Sequence, residues 1–161
     1  MATNVKGGTT MGRKLLRVLL VIIAVQIVGF IVGAIISKKM TKGDESSDDF
    51  QIAAIFGGKK FHSHADGLKS GAVVAAMGGV DLDLRDASLD SGGANLDLKA
   101  TMGGVQAVVP EDWAVEVDIR ETAGEVEVKV TPPEDLPDDA PKLHIDADAR
   151  MGGVLVTTKT K

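Results

Sequence analysis

The chain has 161 residues, of which 44% are hydrophobic but only 3% aromatic, with nineteen glycines and no cysteine. Without cysteine there is neither a disulfide framework nor a thiolate metal site. The formal charge of −5 is unevenly spread: residues 1–43 carry seven basic and no acidic side chains, whereas residues 50–161 carry eleven basic and nineteen acidic ones. An acidic body of that kind repels phosphate backbones, which argues against a nucleic-acid partner.

Residues 1–14 read as a basic amino-terminal tail. Residues 15–37 read as one transmembrane helix, because LLRVLLVIIAVQIVGFIVGAII holds a single charge, Arg17, near its edge. At 1.5 Å per residue, such a run crosses a hydrocarbon core of about 30 Å. The alternative is a cleaved signal peptide, with Val32-Gly33-Ala34 as the cleavage site, but the apolar run is long for that and continues through Ile36. The chain is therefore expected in the cell membrane as a single-pass protein in contact with the lipid bilayer. Flanking charge is nearly balanced, with Lys6, Arg13, Lys14 and Arg17 before the span and Lys38, Lys39 and Lys42 after it. The positive-inside rule leans only slightly toward an exported body. Within the span, Gln26, Gly29 and Gly33 fall on one helical face, and the Gly-x-x-x-Gly spacing suits close helix association, with self-association as one outcome.

Residues 38–49, KKMTKGDESSDD, form a polar linker. Beyond it the chain repeats. Paired glycines stand at Gly57-Gly58, Gly78-Gly79, Gly103-Gly104 and Gly152-Gly153, and three of the pairs occur as Met-Gly-Gly-Val. Alternating runs precede them at 50–56, 71–77, 95–102 and 143–151, and others follow at 59–64, 80–87, 105–110 and 154–159. Between the third and fourth pairs lies a degenerate copy, WAVEVDIR and EVEVKV, around Gly124. A period of two marks strands with one apolar and one wet face. Strand, glycine corner and strand, recurring every 21–25 residues, predict an all-β domain: a single-stack β-solenoid of about five rungs in chain order, preceded by one transmembrane α-helix. A β-sandwich is the runner-up and would require hairpin turns.

In that fold the corner glycines supply positive φ or close backbone approach. The residue before each pair, Phe56, Met77, Met102 or Met151, is expected to plug the interior. The Pro- and acid-rich stretch 131–141 is expected to leave the ladder between the fourth and fifth rungs, as a connector or an acidic docking loop. Trp113 is expected to cover an interior edge, and the charged end TKTK to discourage strand pairing at the last rung.

Little in the pattern speaks for catalysis. His62 and His64 share one strand face and, with His144 and nearby aspartates, could bind a metal, but the rung order puts His144 far away, and solvated surface histidines are the favoured reading. Asp81, Asp83 and Asp86, with Asp97 one rung on, form an acidic cluster without EF-hand or calcium β-roll spacing. The serines lack a Gly-x-Ser-x-Gly elbow, and the glycine pairs lack the Gly-Lys-Ser/Thr of a phosphate loop.

Three segments, IFGG (55–58), MGGVDLDLRDA (77–87) and MGGVQAVVPEDWAVEV (102–117), resemble the carboxyl-terminal domain of LiaF-like, or cell wall-active antibiotics response, proteins. That domain is related to adhesin-like β-solenoids of bacteria. The most specific pieces are Asp83, Leu84 and Ala87 after one corner and Val109, Pro110 and Trp113 after the next. The resemblance covers residues 50–161. It implies a membrane-tethered, non-enzymatic regulator of envelope stress that contacts a membrane histidine kinase and needs no cofactor. Well-known members carry several amino-terminal membrane helices, whereas this chain shows one. The alternative function is an exported structural or adhesin-like protein at the cell surface.

Overall fold

The computed structural model describes residues 9–159, with side chains from Leu15 onward except those of Arg17, Ser37 and Met40. Most of the basic tail, the side chains of Arg13, Lys14 and Arg17, and Thr160-Lys161 of the charged end lie outside the described residues.

Helix α1 spans Thr9–Met40, 32 residues. It exceeds the expected span at both ends because nothing between Thr9 and Met40 breaks a helix: there is no proline and no glycine pair. Lys38 and Lys39 occupy its last turn, where cations oppose the negative end of the helix dipole. The window Val18–Ile36 has a mean hydropathy of 3.0 and is almost wholly exposed, so α1 is long and apolar enough to span a membrane.

The remainder is built of strands: β1 (Asp49–Ala54), β2 (Gly57–His62), β3 (Ser70–Ala76), β4 (Gly78–Asp83), β5 (Ala94–Thr101), β6 (Gly104–Val109), β7 (Ala114–Thr122), β8 (Glu125–Lys129), β9 (Lys142–Arg150) and β10 (Gly153–Thr158). They form two five-stranded sheets, ordered β1-β3-β5-β9-β7 and β2-β4-β6-β10-β8. Each sequence copy gives one strand to each sheet. Every pairing between these strands is parallel, which excludes the hairpins of the runner-up fold.

The register explains the alternation. Ile52, Val73, Leu98 and Ala147 are successive neighbours across the first sheet, and Phe61, Leu82, Ala107 and Val156 across the second. All are buried, and the inward side chains of both sheets form one apolar core. Each buried Ile, Val, Leu or Phe among them contributes about 1.5–3 kcal/mol through removal from water. Size varies along a column where bulk demands it: Phe50 neighbours Gly71, and a Cβ at Gly71 would run into the Phe50 ring. Trp113 is buried in the same core, as expected of an edge cover.

Sheet order corrects the expected succession. The last copy, β9 and β10, lies between the third copy and the degenerate one, so β7 and β8 are the edge strands. The columns show why. Ala54, Ala75, Ala100 and Ala149 are successive neighbours, and the next residue is Glu121. An acid there is tolerable only at an edge, where it reaches solvent. Glu121 is exposed there and also accepts a hydrogen bond from the Val126 N–H at 2.7 Å. The stretch 131–141, with a 3-10 turn at Pro133–Asp135, leads from β8 back to the inserted β9. Consequently β10 is interior, and it does not form the exposed last strand that a charged tail would protect.

At the opposite edge, the polar linker is tied to the strands. Lys42 and Gln51 exchange two 2.8 Å backbone hydrogen bonds, and the Asp48 carbonyl accepts from Lys69 N–H. Asp44 accepts from Ser47 Oγ and the Ser46 N–H, and these bonds hold its carboxyl below the usual range. Lys59, at the inward register position beside Val80, donates to Thr41 Oγ1 at 2.8 Å, and burial lowers its pKa.

Candidate functional site

The glycine pairs divide into two chemical roles. A Cβ on Gly78 would strike the Gly57 carbonyl, one on Gly103 the Gly78 carbonyl, and one on Gly152 the Gly103 carbonyl. At Gly124 it would meet the Ala149 and Gly152 carbonyl oxygens at 2.7 Å. The first glycines are therefore needed for close backbone approach between neighbouring copies. Around the second glycines, Gly58, Gly79, Gly104 and Gly153, there is space: the nearest atom lies at 3.9 Å or beyond. The degenerate copy makes the same point, since Glu125 is the register partner of Gly153.

Positive φ falls elsewhere. Met77, Met102, Ala123 and Met151 have φ between 51° and 54°, while at the first corner Gly57 itself has φ 95°. The left-handed turn throws the methionine side chains outward, to 46%, 52% and 61% exposure, and Phe56 is also exposed. The expected interior plugs are absent at these positions; the core is closed by the columns alone.

Polar chemistry lies on the outer faces. On the second sheet, His62 is the register partner of Asp83. Its Nδ1 is 3.6 Å from Asp83 Oδ2, and its Nε2 is 2.6 Å from Asp86 Oδ2. Asp83 is itself gripped by Arg85, with Nε at 2.9 Å from Oδ1 and Nη2 at 2.7 Å from Oδ2. The guanidinium holds the Asp83 carboxyl below the ordinary carboxylate range, and Asp83 raises Arg85 in turn. His64 lies on the same face, its ring centroid 5.0 Å from that of His62. Its Nε2 is 3.3 Å from Glu45 Oε2. Between the two histidines, Ser63 is fully buried; its N–H donates to the Asp83 carbonyl at 2.9 Å, and the His64 N–H donates to the Glu45 carbonyl. An open groove beside this cluster is lined by Lys60, Gln106, Val108 and Lys159.

The expected acidic cluster separates. Asp81 pairs loosely with Lys60, but Asp97 belongs to the other sheet, in line with Asp146 and Asp118. Cations border that line: Lys99 lies 2.6 Å from Asp97, and Arg120 lies 3.1 Å from Asp146. His144 joins this second group, 3.4 Å from Asp118, and is remote in the fold from His62 and His64, as the sequence indicated. The repeat itself contained the signal for the His62–Asp83 pairing, since each residue lies five positions past the first glycine of its corner. Nothing signalled Glu45, because the segment that carries it has no period. In α1, Gln26 is exposed, Gly29 half-buried and Gly33 buried, and a Cβ at Gly29 would meet nothing within 4 Å.

No family model, no curated protein and no solved structure matches this chain.

Proposed function

We propose that the two parallel sheets are the walls of a β-solenoid of LiaF-like type, held at the cell membrane by α1, and that the protein is a non-enzymatic regulator or scaffold of the envelope stress response. The observation that carries this reading is the joining of an exposed apolar helix to a repetitive body whose interior is filled by aliphatic columns. Such a body offers its outer faces and edges to other proteins rather than a cleft to a substrate. A membrane histidine kinase is the partner class that the resemblance suggests, and Gln26, Gly29 and Gly33 are the helix face suited to pairing within the bilayer.

The edge strands support a second reading, a cell-surface structural protein. Ile119 is 50% exposed and Val126 and Val128 are half-buried at an edge that further strands could extend. In-cell crosslinking of the full chain separates the two. Recovery of a membrane histidine kinase is the expected result, and filaments of the purified protein without a kinase would favour the structural alternative. A single cysteine at Lys60, whose side chain is 88% exposed in a chain free of cysteine, reports the side of the body through an impermeant thiol reagent on intact cells.

A further inference from the structure

We infer that His62, His64 and Asp86 form a binding site for a divalent transition metal of the zinc class. Each offers a ligand atom, and these atoms all lie within 4.8 Å of one another. Two imidazoles and one carboxylate match the donors that zinc takes, and they disfavour calcium and magnesium, which want oxygen alone. The side chains are 37%, 52% and 59% exposed, so they can adjust their rotamers around an ion and leave a position open to water or a partner's ligand.

The surroundings distinguish this cluster from chance proximity of surface groups. Ligating histidines usually have their second ring nitrogen oriented by a carboxylate. His62 approaches that arrangement: Nε2 lies 2.6 Å from Asp86, while Nδ1 faces Asp83 at 3.6 Å, just beyond hydrogen-bond length, and Arg85 fixes Asp83 through both carboxylate oxygens. The backbone is equally constrained, since buried Ser63 and the His64 N–H are bonded to neighbouring segments on both sides. Glu45 adds a third carboxylate, beside His64. The second group, Asp118, His144 and Asp146, is the weaker choice: it has one imidazole, and Asp146 is engaged by Arg120.

A bound ion would join two segments: the first copy through His62 and His64, and the second through Asp86. This inference does not depend on the proposed signalling role. Its test is titration of Zn2+ alone into the full chain, purified in detergent without a polyhistidine tag and stripped with chelator. We expect one equivalent to bind, with H62A, H64A and D86N each weakening binding by about 10-fold or more, and D83N, which alters the carboxylate facing His62 and its pair with Arg85, by about 10-fold. H144A should bind as the parent does. Far-UV circular dichroism checks that each variant is folded; D86N lies beyond the end of β4 and keeps the test valid if H62A does not fold. Absence of saturable uptake, or binding that is lost with H144A and retained with H62A and H64A, would overturn the assignment.

Discussion

The third and fourth copies turn the same corner with different residues. In the third, Met102-Gly103-Gly104 leads from β5 to β6, and the inward residues on both strands are buried. In the fourth, Thr122-Ala123-Gly124 leads from β7 to β8, and beyond Val115 the alternation exposes Ile119 and leaves Val126 and Val128 half-covered. The backbone is nonetheless alike: Met102 and Ala123 both take positive φ, and both following glycines abut carbonyl oxygens. The corner geometry is thus independent of how well the copy is buried. Burial follows from position in the sheet, and the fourth copy suits the edge because one of its columns ends in Glu121.

Substitution at Gly103 should give the largest effect. Alanine there strikes the Gly78 backbone, and Gly103 cannot simply back away because Gly152 packs closely against it; we expect a loss of about 3 kcal/mol or more in denaturant unfolding of the full chain in detergent. Next in size is a pair that contrasts the two regions directly. Leu98→Ala empties a fully buried site in β5 and should cost about 2–5 kcal/mol, while Ile119→Ala at the exposed edge should cost less than about 1 kcal/mol. Equal losses would mean that the edge is covered in solution.

Smaller again is Glu121→Ala, which removes the acceptor for Val126 N–H; a loss of about 0.5–1 kcal/mol and faster amide exchange at Val126 are expected. The smallest is Gly104→Ala, which should change stability by less than about 0.5 kcal/mol, because the second glycine has room and Glu125 follows Gly124 at the corner of the fourth copy. The outer face offers a pH test of the regular copies. Asp83 titrates below its unfolded value because Arg85 bonds it, so the stabilisation is present above about pH 4 and is lost as pH falls through the folded value. Arg85→Gln should therefore lower the melting temperature at neutral pH, with the difference from the parent shrinking in acid.

Much of this was legible in the residues. Period-two runs and recurrent glycines gave the strands, their corners and their one-sided burial. The register was also readable, since counting from each corner pairs His62 with Asp83. Three features resisted. The insertion of β9 and β10 ahead of β7 and β8 is a long-range choice; its only local trace is Glu121 in a column otherwise made of alanines. The outward methionines follow from which residue of the corner takes positive φ, and methionine carries no preference for it. The attachment of residues 41–48 depends on backbone bonds, which composition does not reveal.

The order β5-β9-β7 also governs assembly in time. Strands β7 and β8 leave the ribosome before β9 and β10, the strands they pair with, so they cannot dock where they belong until residues 142–158 have been made. Until then the third copy presents a bare ladder to its surroundings, and the fourth waits on a tether. A nascent chain arrested before Lys142 would hold three copies joined and one adrift, and the last twenty or so residues act as a wedge that, on arrival, seals both gaps at once.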